Sequence, residues 1–199
     1  MAAKAGFCFG VKRAIEMVQA TVQNRAGPIF SLGPLIHNPQ VVARLADKGV
    51  REIKNVAEVN EGTLIIRSHG VGPLILKAAG EQGLSIVDAT CPYVGRAQAL
   101  ARDLTEEGFQ VVVVGDREHP EVQGIIGWTG GRGLVVENPE EAARLQSFPR
   151  VGVVAQTTQP LENFKAVVDV INRTGAEIRV CNTICSATAQ RQPAALDLA

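Results

Sequence analysis

The chain has 199 residues, 46% of them apolar, with 20 basic side chains against 20 acidic ones. It is long enough for one large domain or two small ones, and too apolar for a disordered chain. The balanced charge gives no electrostatic case for nucleic acid or an anionic membrane, and the longest purely aliphatic run, Val111 to Val114, is far too short to span a bilayer.

β-branched runs alternate with helix-period stretches nearly throughout. In chain order the pattern predicts strand 2–5, helix 11–23, strand 28–32, helix 39–48, strand 63–67, helix 73–82 and strand 85–88. It continues with helix 95–107, strand 110–115, helix 121–128, strand 133–136, helix 140–145, strand 151–155, helix 161–174 and strand 177–180. Val11, Ala14, Ile15, Val18 and Val22 make one apolar stripe on the first helix. Pro193 is expected to interrupt any helix over 187–198. Such alternation predicts an α/β fold of mainly parallel sheets, with its best boundary near 88–91.

Three of the four cysteines stand in matching places. Cys8, Cys91 and Cys185 each follow a short apolar run and precede a helix-like stretch. His37, His69, His119, Glu121 and Thr157 also fall after a strand and before a helix. In open α/β sheets that is the carboxyl edge, where ligands bind and helix N-termini favour anions. The order repeats: Cys8, His37, His69; then Cys91, His119, Thr157; then Cys185. Units are therefore expected at 1–89 and 90–184, with 185–199 opening a third that the sequence cuts short.

Each residue type has an ordinary explanation as well. A single isolated cysteine is most often a buried apolar one; three in one context favour a shared tri-cysteine metal centre. Zinc sites usually draw on close pairs such as C-x₂-C, and no two of these three thiols are close in sequence, whereas thiolates also hold iron–sulfur clusters. Cys181, at a strand end, reads as structural. Histidines at one edge could hold a phosphate or diphosphate, but no P-loop string occurs. Glu121 reads first as a first-turn glutamate favoured by the helix dipole, and Thr157 as a cap or a ligand donor. Cysteine spacing and the absence of a leader-like N-terminus point to a cytoplasmic protein.

The strings AGFCFGVKRAI, LIHNPQVV, SHGV, VDATCPYV, HPEVQGI, AQTT and NTICSATAQRQ, taken together and in order, resemble the 4-hydroxy-3-methylbut-2-enyl diphosphate reductase family, LytB-type iron–sulfur enzymes. The resemblance implies a pseudo-threefold arrangement of three α/β units around a [4Fe-4S] cluster, two of them present here and the third largely missing. It implies Cys8, Cys91 and Cys185 as cluster ligands, and His37, His69 and His119 around a small-molecule diphosphate. Glu121 would act in the proton relay and Thr157 near the substrate hydroxyl. The implied reaction is reductive dehydroxylation in the non-mevalonate isoprenoid pathway, giving isopentenyl and dimethylallyl diphosphate. Ferredoxin or flavodoxin would supply the electrons. Family members carry a Ser-x-Asn motif and a later serine beyond the last cysteine; neither follows Cys185 here. Residues 1–199 alone are therefore expected to turn over poorly, and the alternative is a catalytically impaired remnant that binds a cluster or zinc.

Overall fold

The structure is a computed structural model that describes residues 5–174 and 177–197. The strand expected at 2–5 lies outside them except for Ala5, which is in no strand. The chain divides into two compact units between Pro92 and Tyr93.

In the first unit α1 (Phe9–Asn24) leads into β1 (Ile29–Leu32), α2 (Pro39–Ala46), β2 (Val50–Ile53), a 3₁₀ turn (Val56–Glu58), β3 (Thr63–Ile66), α3 (Pro73–Glu81) and β4 (Ser85–Asp88). Its four strands form one parallel sheet in the order β2-β1-β3-β4. Successive side chains alternate between faces. Ile29 and Ile65 pack with Ala14 and Val18 of α1 and Val41 and Leu45 of α2. Phe30, Leu32, Leu64 and Ile66 pack on the other face with Ala79 of α3.

The second unit takes in α4 (Pro92–Glu106) from Tyr93 on. It continues through β5 (Gln110–Val114), α5 (Pro120–Trp128), β6 (Leu134–Val136), α6 (Pro139–Ala142), β7 (Arg150–Ala155), α7 (Leu161–Asn172), β8 (Glu177–Cys181) and α8 (Ser186–Leu196). Its strand order, β6-β5-β7-β8, repeats that of the first unit, and all pairings are again parallel. Val112, Val114 and Val153 face Phe164 and Val167 of α7. Val111, Val113 and Val154 face Ala97 and Leu104 of α4 and Ile125 of α5. Proline at a first helical position starts α2, α3, α5 and α6, where its missing N–H costs nothing.

Two expectations change. The strand β2 has no apolar alternation, because Arg51 and Glu52 stand exposed between buried Val50 and Ile53 on a sheet edge. The helix α8 runs through Pro193 without a break. A proline removes one donor and crowds the carbonyl four residues back, and the turns of α8 that precede it are tied to neighbouring elements by side chains. Tyr93 Oη lies 3.0 Å from Ser186 Oγ, and Gln192 Nε2 donates to the Thr158 carbonyl at 3.0 Å. No helix among the described residues is long and apolar enough to cross a membrane.

Candidate functional site

In a sheet of this order the chain leaves the first strand to one side and later returns to the other. The crevice lies beyond the carboxyl ends of β1 and β3 in the first unit, and of β5 and β7 in the second. Each crevice holds a pair of the sequence-predicted side chains.

In the first unit the pair is His37 and His69. Their ring centroids are 4.4 Å apart at an interplanar angle of 43°. His37, in the β1–α2 loop, is exposed, while His69, after β3, is buried. Asn38 caps α2 by accepting from Val41 N at 3.0 Å, which fixes the helix beside His37. The Ser68 hydroxyl donates to the Leu35 carbonyl at 3.1 Å and so ties the two loops together. Gly70 makes the turn after His69 with φ 67°, a conformation that suits glycine. Two imidazoles beside a helix N-terminus suit an anion.

Cys8 and Cys91 belong to the same unit. Cys8 is the N-cap of α1 and is half-buried. Cys91 immediately precedes α4, and its N–H donates to the Ser68 carbonyl at 2.9 Å, beside the histidine loop. Its sulfur lies against the first turn of α1, where a Cβ at Gly10 would overlap it. Arg13 of α1 donates to the Thr90 carbonyl at 3.0 Å, holding the Cys91 loop on that helix.

In the second unit the pair is Glu121 and Thr157. Glu121 is 2% exposed. Its Oε1 accepts from Thr157 N at 2.6 Å, and its Oε2 lies 2.9 Å from Thr157 Oγ1. Burial pushes the Glu121 carboxyl above the usual carboxylate range, against the two hydrogen bonds from Thr157, which pull it down. His119 is the N-cap of α5, and its Nδ1 accepts from Glu121 N at 3.1 Å.

Cys185 closes this constellation as the N-cap of α8, with its N–H donating to the Thr157 carbonyl at 3.0 Å. Its sulfur accepts from Thr188 N at 3.3 Å. Cys181 instead packs against the α4–α5 core, and burial pushes its thiol up, opposed by Arg179 and Arg96.

None of the four cysteines forms a disulfide. Cys8 and Cys185 are the N-caps of α1 and α8. The missing Cβ of Gly10 leaves room at the Cys91 sulfur. Half-buried thiols outside any disulfide are the donor type that holds iron–sulfur clusters.

Three residues here were not singled out from sequence. Gly10 is required by its approach to Cys91, and a glycine inside the first turn of a helix two positions after a cysteine was the available signal. Arg67 follows β3 and packs its guanidinium where a Gly33 Cβ would collide with it, adding a cation beside His69. Thr188 stands three residues after Cys185, the spacing of an N-cap and the third helical position, and it is 9% exposed.

The family model for LytB protein matches residues 1–199. A 4-hydroxy-3-methylbut-2-enyl diphosphate reductase of Geobacter metallireducens is 52% identical over 199 residues, covering 100% of this chain and 70% of the relative. That of Geobacter sulfurreducens is 51% identical with the same coverage. Among solved structures, an (E)-4-hydroxy-3-methyl-but-2-enyl diphosphate reductase, described as the terminal enzyme of the non-mevalonate pathway, matches with TM-score 0.86 and 45% identity. The match covers 99% of this chain and 71% of that one. The E-1-hydroxy-2-methyl-but-2-enyl-4-diphosphate reductase from Plasmodium falciparum matches with TM-score 0.91 and 28% identity, over 96% of this chain and 62% of that one. On the family match and these identities, the chain belongs to the LytB family.

Proposed function

We propose that the protein is an iron–sulfur oxidoreductase of the non-mevalonate isoprenoid pathway. It removes the allylic hydroxyl of 4-hydroxy-3-methylbut-2-enyl diphosphate and gives isopentenyl and dimethylallyl diphosphate. Two electrons and two protons enter, the C–O bond breaks, a C–H bond forms, and water leaves. Cys8, Cys91 and Cys185 would hold a [4Fe-4S] cluster through their sulfurs, and the cluster would supply the electrons and Lewis-acid iron. The electrons come from a ferredoxin- or flavodoxin-class donor.

The chain's own residues divide the remaining work. His37, His69 and His119, with the helix N-termini beside them, hold the diphosphate. Glu121 serves as the proton donor, its carboxyl pushed above the usual carboxylate range by burial, and Thr157 bridges that carboxyl to the substrate hydroxyl. A proton leaving Glu121 Oε2 for the Thr157 hydroxyl is matched by one passed from that hydroxyl to the departing oxygen. The observation that carries this reading is the buried Glu121 clamped by Thr157 through both carboxyl oxygens in a LytB-family chain. No two of Cys8, Cys91 and Cys185 are close in sequence, which gives zinc less support.

The test is anaerobic reconstitution followed by visible spectroscopy and turnover with a reduced viologen. A broad iron–sulfur absorption band with diphosphate-dependent oxidation of the viologen is expected. A colourless zinc protein would overturn the reading.

A further inference from the structure

Thr188 is a buried hydroxyl to which the reading above gives no task. It lies on the third residue of α8 and touches two groups that do have one. Its Oγ1 donates to the Thr157 carbonyl at 2.9 Å and lies 3.1 Å from the Cys185 sulfur. Its own backbone N–H donates to the same sulfur at 3.3 Å. The Thr157 carbonyl also accepts from Cys185 N at 3.0 Å. A closed ring of hydrogen bonds therefore joins Cys185, Thr188 and Thr157, and Thr157 continues it to Glu121.

Counting protons shows what the ring can do. A threonine hydroxyl has one proton to donate. While Cys185 is a thiol, its S–H supplies the hydrogen between sulfur and Thr188, and the Thr188 proton goes to the Thr157 carbonyl. A sulfur bound to metal has lost that proton. The Thr188 hydroxyl must then turn to the sulfur, because two acceptors facing each other at 3.1 Å with no proton between them are repulsive. The Thr157 carbonyl tolerates the loss, since Cys185 N still donates to it. Thr188 is 9% exposed, which leaves little room for water to replace the hydroxyl.

We propose that Thr188 is a positioning residue. Its hydroxyl and N–H together donate to the Cys185 sulfur when that sulfur is a ligand, and they set the reduction potential of the group it binds. Hydrogen bonds to ligating sulfur stabilise the reduced, more negative state and raise the potential. The same ring fixes the Thr157 backbone that clamps Glu121, so the electron-handling and proton-handling sides of this unit share one residue. The inference rests on the cluster reading of Cys185.

The test compares the unmodified chain with Thr188→Val, which keeps the branched shape without the hydroxyl, and Thr188→Ser, which keeps the hydroxyl. Iron content, visible spectrum and midpoint potential are measured on each reconstituted protein. Thr188→Val is expected to keep its iron and to shift to a more negative potential. The expected change is three- to tenfold in the reduction equilibrium, about 30–60 mV at 59 mV per tenfold for one electron. Thr188→Ser is expected to recover most of the shift. Loss of iron from Thr188→Val with retention in Thr188→Ser also supports the hydroxyl's role. Equal potentials in all three, or equal damage in both variants, would overturn it. An unmodified chain that takes up no iron overturns the cluster reading itself, and this inference with it.

Discussion

The two units share one strand order and place different chemistry at the same point of it. Beyond β1 and β3 the first unit sets two imidazoles, His37 and His69, with ring centroids 4.4 Å apart. Beyond β5 and β7 the second sets a carboxyl clamped by a threonine, at 2.6 and 2.9 Å. The backbone device is common: a parallel sheet opens a crevice where its winding reverses, and helix starts line it. What differs is the chemistry of the side chains and whether one of the pair reaches solvent. His37 remains exposed and can meet an anion arriving from solvent, whereas Glu121 is sealed and its burial holds the carboxyl above the usual carboxylate range. The fold thus sets where chemistry can happen, and a few side chains decide which kind.

The largest effect that would test this division is at the sulfur ligands. Cys91→Ser should lose most bound iron. Gly10→Ala should do nearly the same, because the new Cβ overlaps the Cys91 sulfur. Iron per chain after anaerobic reconstitution measures both, and full iron content in either would break the ligand assignment. Next comes Glu121→Gln, which keeps the shape and removes the proton. Iron should be unchanged while kcat falls by about 10²- to 10⁴-fold, the usual range for losing a general acid. Iron loss in this variant would make Glu121 a ligand and collapse the contrast between the units. His37→Ala should act in the opposite sense, raising KM for the diphosphate about tenfold with a smaller change in kcat, as expected for lost ground-state binding.

A weaker effect separates the units by pH. The raised Glu121 pKa means that the folded chain holds this proton more tightly than the unfolded chain does. Stability from this group is full below the ordinary carboxylate pKa and is lost as pH rises through the higher folded value. Denaturant titrations across that window should show the slope in the unmodified chain and its removal in Glu121→Gln. The smallest effect is expected at Cys181→Ser, which should leave iron content unchanged, since that thiol packs in the α4–α5 core. A substantial loss of iron there would add a fourth sulfur to the site.

Most of the architecture was legible in the sequence because its core is built from long β-branched runs. Val111 to Val114 and Val151 to Ala155 can hardly be read otherwise, and they became β5 and β7. The strand β2 was not legible, since an edge strand with two exposed charges has no periodic signal. The continuity of α8 was missed for another reason. Local rules break a helix at Pro193, whereas α8 continues to Leu196. The candidate site was legible as positions, each polar group standing after a strand. Its chemistry was less so: Glu121 looks like any first-turn glutamate until Thr157, 36 residues on, is seen to close on both of its oxygens. Thr188 gave no signal beyond its spacing from Cys185.

The central claim is that the second unit stores a proton on Glu121 where an ordinary surface carboxylate would have released it. Infrared difference spectroscopy of the unmodified chain against Glu121→Gln, across a pH titration, reads that proton directly. The account predicts a protonated-carboxyl band that persists above the usual carboxylate range and is absent from Glu121→Gln. A band that disappears within that range, or one that remains in Glu121→Gln, would contradict it.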